Sequence, residues 1–285
     1  MKIKIKKVKN ADLKNYCSFK IGGKAKCIYF PENIEQIKYL INALKNKNKE
    51  YLILGNGTNI LFPDKKLKKI IICLKKLNEI QINGEEIVCG AGANLFNLNN
   101  ACAQNSLEGL EFTYGLPGSV GGAVAMNAGA FGDEICNHLF EIVVCKDGEI
   151  YSRQNLKFRY RKGPLEKGEI LLFAKFKLKK GEKQKIIQIQ HDFLQKRRDT
   201  QPYGECSAGS VFRRGENFIP AKLIDEWGLK GLKIGGCEIS KKHAGFIVSA
   251  GKARQSDALA LIELIEWVAK AKGYIFEREI VVVTN

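Results

Sequence analysis

The sequence predicts an α+β fold in two domains, and three observations carry that reading. Strand and helix patterns alternate only in places, tight hairpins interrupt them, and 285 residues with 45% hydrophobic content suffice for two ordinary cores. Taken in order, MKIKIKKVKN alternates Lys with Ile and Val, as an exposed strand does. Residues 31–47 place Ile34, Ile37, Ile41 and Leu44 on one helical face. A short buried strand at 51–54 runs into Gly55-Asn56-Gly57-Thr58-Asn59. Asn83-Gly84 is read as the turn joining strands 79–82 and 85–89, and Asp147-Gly148 as the turn joining 140–145 and 149–151. A helix at 93–105 follows a second small-residue loop, Gly90-Ala91-Gly92. Residues 169–178 read as a strand and 184–199 as a helix that Gln201-Pro202 stops. A loop is expected at 204–218, a last helix from Ser256 to Gly273 burying Leu261, Ile265 and Val268, and a final strand at 275–283. The expected division is an N-terminal strand at 1–14, a first domain at 15–182 and a second at 183–285.

Between Glu111 and Asp133 no residue is charged, although 27% of the chain is. The middle of that gap reads GLPGSVGGAVAMNAGAFG, from Gly115 to Gly132. Glycine lacks a Cβ, so such a stretch can present main-chain N–H groups to an anion such as a diphosphate. Six glycines, Pro117 and Asn127 make it a poor membrane helix, and Val120, Val124, Met126 and Phe131 make it a poor linker. A tightly packed turn without a ligand remains the alternative on local sequence.

Composition excludes several classes. Nine cysteines form no CxxC pair and sit mostly in apolar runs, as small core residues of a reducing compartment do. His138, His191 and His243 are far apart in sequence, so no metal site is expected. No long apolar segment precedes a cleavage site, which places the expected protein in the cytoplasm without membrane insertion. The net charge of +17 comes from 47 basic and 30 acidic residues. The lysines are scattered and no aromatic ladder accompanies them, so a solvated surface that favours an anionic substrate is preferred to nucleic-acid binding. Neither GNGTNI nor GAGANL completes G-x-G-x-x-G, no Walker loop is present, and CSAGS is not a G-x-S-x-G elbow. Three small-residue loops, 55–59, 90–92 and 115–132, remain as a cradle for a large anionic ligand.

Those loops, in that order, carry a resemblance. Ser18-Phe19-Lys20-Ile21-Gly22-Gly23, GNGTN, GLPGSVGGAVAMNAGAFG, FRYRKG, SAGSVF, LIDEWGLKG, SKKHAGFIV and the terminal EREIVVV resemble the UDP-N-acetylenolpyruvoylglucosamine reductase family over nearly the whole chain. The resemblance implies a vanillyl-alcohol-oxidase-type FAD-binding domain of two α+β subdomains, followed by a smaller α+β substrate domain of the family's shorter type. It implies noncovalent FAD, NADPH as reductant and reduction of UDP-N-acetyl-3-O-(1-carboxyvinyl)-glucosamine to UDP-N-acetylmuramate for the bacterial cell wall. A monomer is expected. The alternative enzyme is a flavin oxidase of the same fold.

Site residues follow from the matched motifs. Gly55, Asn56, Gly57, Thr58, Asn59, Gly90, Tyr114, Gly115, Pro117, Gly118, Ser119, Gly121, Gly122, Ala123, Asn127, Ala128 and Gly129 are expected to hold FAD. Arg161 and Glu279 are expected to support the intermediate, with Ser210 giving the proton, and Arg213 and Arg214 to reach the uridyl diphosphate. Arg161 offers a planar fork to a carboxylate. An ionised Glu279 would repel the growing charge, so it is either protonated or paired with a cation, and the sequence leaves both open. Alternation puts Glu279 on the face of Val281 and Val283. Asn56, Gly215, Ala221 and Gly245 depart from the family pattern; Gly245 stands where Asn is usual, and Ala221 where Gly is.

Overall fold

A computed structural model describes residues 3–250 and 252–285; residues 1 and 2 of the expected N-terminal strand lie outside the described residues. The strands and helices in chain order begin with β1 (Lys6–Asp12), β2 (Lys24–Phe30), α1 (Ile34–Lys45), β3 (Tyr51–Leu54), β4 (Ile60–Leu61) and β5 (Ile70–Cys73). Next come β6 (Ile80–Asn83), β7 (Glu86–Gly90), α2 (Leu95–Gln104), β8 (Leu107–Glu108), α3 (Val120–Ala125), β9 (Gly129–Ala130) and β10 (Asp133–Glu134). The middle of the chain forms β11 (Leu139–Lys146), β12 (Glu149–Arg153), β13 (Ile170–Lys177), β14 (Lys179–Lys180) and α4 (Lys183–Thr200). The remainder forms β15 (Cys206–Ser210), α5 (Pro220–Glu226), β16 (Lys233–Ile234), β17 (Cys237–Ile239), β18 (Phe246–Ser249), α6 (Gln255–Ala271) and β19 (Val281–Val282). The class is α+β, as expected.

Two compact units arise, each from three chain segments: 1–8, 27–56 and 69–196 in the first, 9–26, 57–68 and 197–285 in the second. The first holds a five-stranded sheet in the order β12-β11-β13-β7-β6, antiparallel throughout. In a second sheet, ordered β1-β2-β5-β3, strands β2, β5 and β3 run parallel. α1 starts three residues later than expected because the Asn33 side chain accepts the Gln36 N–H and caps it there. Its buried face is Ile37, Leu40, Ile41 and Leu44, and these join a core that runs through Ile87, Leu98, Val144, Leu172 and Phe176. All nine cysteines are free, and seven are buried.

The second unit is built on the antiparallel sheet β15-β18-β17-β16, with α6 packed on β16 and β17. β19 adds to β4 in parallel through Val281 opposite Ile60 and Val282 opposite Leu61.

Three local expectations change. Asn83 pairs with Glu86, so the first hairpin turns at Gly84-Glu85, one residue later than read, with Gly84 at φ 62°. Residues 206–210 form strand β15 instead of loop. The final strand shrinks to Val281–Val282; Ile275 is 84% exposed, and residues 276–280 join no ladder among the described residues beyond one isolated β-bridge, Phe212 to Arg278. The expected face of 279, 281 and 283 is therefore uneven: Val281 is 45% exposed while Val283 is buried.

Candidate active site

In the first unit the glycine loops close on one another before they offer anything to a ligand. A Cβ on Gly55 would overlap the Ser119 hydroxyl, and one on Gly90 would overlap the Leu77 carbonyl. A Cβ on Gly121 would sit 2.8 Å from the Ala91 carbonyl oxygen. The loop at 90–92 is satisfied internally: Gly90, Ala91 and Gly92 donate to the carbonyls of Glu79, Leu172 and Leu77. Gly121 donates to Ala91, Gly122 to the Ser119 hydroxyl, and Ala128 to Ala123.

Other N–H groups are left over. Those of Gly55, Asn56, Gly115, Gly118 and Ser119 in the first unit donate to no acceptor in the described chain, and these residues are buried or half-buried. The same holds in the second unit for Gly57, Thr58 and Asn59. Buried main-chain N–H groups are nearly always paired, and each orphan costs about 1–3 kcal/mol. Runs of such donors suit an anionic group. Within the first unit the residues present thus fit the anionic part of a diphosphate-bearing cofactor through Gly55, Asn56 and 115–119, and much less through 90–92. Tyr114, 8% exposed, stacks on Phe96 with centroids 5.4 Å apart. Pro117 is exposed.

Asn127 serves the chain itself. It is 1% exposed, its amide donates to Glu134 Oε2 at 2.8 Å, and its carbonyl accepts the Cys136 N–H at 3.0 Å. Close by, Arg159 and Lys162 exchange two main-chain hydrogen bonds of 2.9 Å, which makes Tyr160-Arg161 a tight turn with Arg161 at φ 53°. Gly163 ties this turn to α3: its N–H donates to Ala125, and a Cβ there would overlap the Val124 carbonyl. The half-buried Arg161 donates from Nη2 to the Gly129 carbonyl at 3.0 Å, with its guanidinium 4.9 Å from the Tyr160 ring centroid.

In the second unit Ser210, Glu279 and the end of the first loop come together. β15 pairs with β18 but slips register between Ser207 and Ser210, where Gly209 takes φ 79°. This bulge re-aims Ser210, whose hydroxyl donates to the Phe212 carbonyl at 3.3 Å. The next peptide is a hub. Val211 donates to the Gly245 carbonyl at 2.8 Å and accepts the Glu279 N–H at 2.7 Å. The Glu279 carbonyl accepts from the Asn59 amide at 3.1 Å, and Asn59 O accepts the Val281 N–H. Ser18 completes the link, donating to Ser207 O at 2.6 Å while its N–H donates to Gly57 O. Gly57 must be glycine here, since its φ is 69° and a Cβ would overlap the Tyr16 carbonyl.

Arg213 runs beside this ladder, its N–H donating to Glu277 O. Its Nη1 is 3.6 Å from the exposed Glu277 carboxylate, and its buried Nε meets no acceptor among the described residues. Arg214 lines a cleft of about 470 Å³ with Phe218, Lys222, Glu226 and Tyr274. Two departures from the family pattern face each other: a Cβ on Gly245 would lie 3.1 Å from the Ala221 methyl, so the methyl present at 221 fills space that the chain leaves empty at 245. Among the described residues no group of His, Cys, Asp and Glu could hold a metal, and no helix is long and apolar enough to cross a membrane.

Sequence reasoning missed Asn59 as a clamp on Glu279, Gly163 as the anchor of Arg161 and His243 beside the serine strand. The last sits in SKKHAGFIV, so its motif was visible while its contact was not.

Comparison with known proteins adds to this geometry. The family described as "FAD binding domain" matches residues 25–152, and the one described as "UDP-N-acetylenolpyruvoylglucosamine reductase, C-terminal domain" matches 201–283. The UDP-N-acetylenolpyruvoylglucosamine reductase of Pseudothermotoga lettingae is 46% identical over 89% of this chain and 89% of its own length. That of Clostridium tetani is 40% identical over 92% of this chain and 87% of its own. The crystal structure of the enzyme from Thermus caldophilus superposes with a TM-score of 0.85 at 32% identity, covering 99% of both chains.

Proposed function

The chain belongs to the UDP-N-acetylenolpyruvoylglucosamine reductase family, and on that footing we propose how its residues share the reaction. It is an NADPH-dependent, FAD-containing oxidoreductase of peptidoglycan precursor synthesis, acting on the enolpyruvyl ether of UDP-N-acetylglucosamine. The curated relatives carry the reductase's name, which favours this reading over a flavin oxidase. We assign it to the bacterial cytoplasm as a monomer, with FAD on residues 15–182 and the sugar nucleotide on 183–285.

Bound FAD, reduced by NADPH, supplies a hydride to the vinyl carbon remote from the ether oxygen. Negative charge then develops on the neighbouring carbon and spreads into the substrate carboxylate. Arg161 receives that carboxylate. Its turn is pinned by Gly163 and its guanidinium by Gly129 O, so little reorganisation is needed as charge grows. Ser210 donates its hydroxyl proton to the carbanionic carbon. Serine is a weak acid, so the strong basicity of that carbon is what makes the transfer feasible. Glu279 supports the same intermediate, as a neutral acid or beside a cation, with its backbone clamped between Val211 and Asn59. Arg213 and Arg214 meet the diphosphate, and the unpartnered Arg213 Nε suits that role. The main-chain donors of Gly55, Asn56 and 115–119 in the first unit would hold the diphosphate of FAD.

The observation that carries this division is the Val211 peptide, which draws the proposed proton donor and the proposed carboxyl group onto one hub. Ser210→Ala tests it. NADPH still bleaches the flavin of the variant at the wild-type rate, while reoxidation by the enolpyruvyl substrate slows by about 10²–10⁴-fold, the usual worth of a placed acid. Normal turnover of that variant means the proton comes from elsewhere.

A further inference from the structure

The Val211 hub depends on the Gly245 carbonyl, and a glycine is the residue least able to hold its own carbonyl in place. What restrains it is His243. The His243 Nδ1 accepts the Gly245 N–H at 3.1 Å, so the ring proton sits on Nε2. A Cβ at 245 would lie 3.0 Å from His243 Cε1, so glycine is what lets the ring sit this close. The ring stands edge-on to Phe246, centroids 5.0 Å apart at 77°, and Phe246 is the residue paired with Ser210 across the two strands. The turn beneath is closed at both ends. The Phe246 N–H donates to His243 O, the Ser240 N–H donates to Phe246 O, and the Ser240 hydroxyl accepts from Lys242 and His243. Burial pushes the His243 pKa below its ordinary value, which keeps Nδ1 free to accept.

We propose that His243 is a positioning residue for proton delivery: its neutral imidazole holds the 244–245 peptide while its main-chain carbonyl holds the 245–246 peptide through the Phe246 N–H, and the two together aim the Gly245 carbonyl at the Val211 N–H, which through Val211 fixes both Ser210 and Glu279. This rests on the roles given above to those two residues. The Ala221 methyl, 3.1 Å from the empty Cβ position, closes the other side of the slot. The imidazole thereby takes over the restraint that a larger side chain at 245 would provide.

The test uses full-length, FAD-loaded protein in anaerobic stopped flow, with three readouts: flavin reduction by NADPH, flavin reoxidation by the enolpyruvyl substrate, and thermal midpoint. His243→Phe keeps a ring against Phe246 but removes the acceptor. His243→Asn puts an amide oxygen where Nδ1 was. Reoxidation falls about tenfold in His243→Phe, in line with loss of one oriented hydrogen bond, while reduction by NADPH is unchanged. His243→Asn restores at least half of the wild-type reoxidation rate. Gly245→Ala pushes the ring aside and shows the same selective loss, which covers the case of a phenylalanine variant that does not fold. Wild-type reoxidation in His243→Phe or Gly245→Ala overturns the proposal. So does an equal loss in the Phe and Asn variants, or a parallel fall of both half-reactions with the thermal midpoint. Ser210→Ala is run alongside: if it reoxidises normally, the proton-donor reading fails and this one with it, whereas a block there beside a normal His243→Phe sinks this one alone.

Discussion

Gly163 accepts no side chain, because a Cβ there would overlap the Val124 carbonyl. Gly163→Ala is expected to lower stability by about 1–3 kcal/mol, read as a fall in thermal midpoint, and to loosen the turn that carries Arg161. Nothing in FRYRKG distinguishes this glycine from a flexible one; its role comes from α3, nearly forty residues earlier in the chain. The same gap separates the two uses of glycine in the loops. Their abundance was legible as closeness, but whether the close neighbour is a ligand or the chain itself was not, and Gly90 turns out to approach Leu77. Two titratable residues contribute to an acid limb, alongside Asp133, Glu141 and Asp257, whose carboxyls are also held below the ordinary range. Burial alone would raise the Glu169 pKa, but the Glu166 N–H, the Tyr151 hydroxyl and Arg153 outweigh it and hold it below its ordinary 4.5. His243 is likewise held below 6.5, so unfolding takes up a proton there as pH falls past that value. Both make the unfolded state bind more protons, so stability declines first below pH 6.5 and again below pH 4.5. Urea titrations across pH check this: Glu169→Gln shrinks the lower step and costs about 2 kcal/mol at neutral pH, since it takes from the Arg153 guanidinium its nearest carboxylate and leaves it the Pro164 carbonyl and Glu166.

At the scale of elements, β15 decides where Ser210 points, and its bulge rests on Gly209 at φ 79°. Gly209→Ala forces a side chain into left-handed backbone at about 1 kcal/mol. The strand relieves this by shifting register, so substrate-driven reoxidation suffers more than the thermal midpoint, a comparison that the half-reaction assay makes directly. A global fold defect would lower both alike. CSAGS was unreadable as a strand because its only apolar residues, Cys206 and Ala208, are small and none is β-branched or aromatic; it becomes one because FIVS in β18 supplies a ladder. The hairpin at Asp147-Gly148 was legible for the opposite reason. Both turn residues take positive φ, 55° and 88°, which is what Asp-Gly is chosen for. At 275–283 the β-rich run read as one strand, but a strand needs a neighbour, and only Val281 and Val282 find one in β4.

For the whole molecule, the two-domain α+β plan was visible in the spacing of hairpins and helices, and the uncharged stretch is what points to the loops proposed here for the cofactor. What lay beyond reach was the interleaving of chain segments: each compact unit draws on three of them, so residues 57–68 join the unit that carries Ser210. Net charge of +17 acts at this scale too. A substrate bearing a diphosphate and a carboxylate is drawn by that field, so kcat/KM is expected to fall as salt rises from low to physiological strength while kcat changes little. A kcat/KM indifferent to salt would show that the lysines serve solubility alone. Unpaired main-chain N–H groups of the uncharged loops are proposed to hold a flavin that passes hydride from NADPH to an enolpyruvyl ether. Anaerobic titration of the purified protein tests it most directly. The expected result is a yellow protein that stoichiometric NADPH bleaches and the UDP-linked enolpyruvyl sugar turns yellow again, leaving the lactyl ether. A colourless protein, or a bleached one whose colour returns only with oxygen, would contradict it.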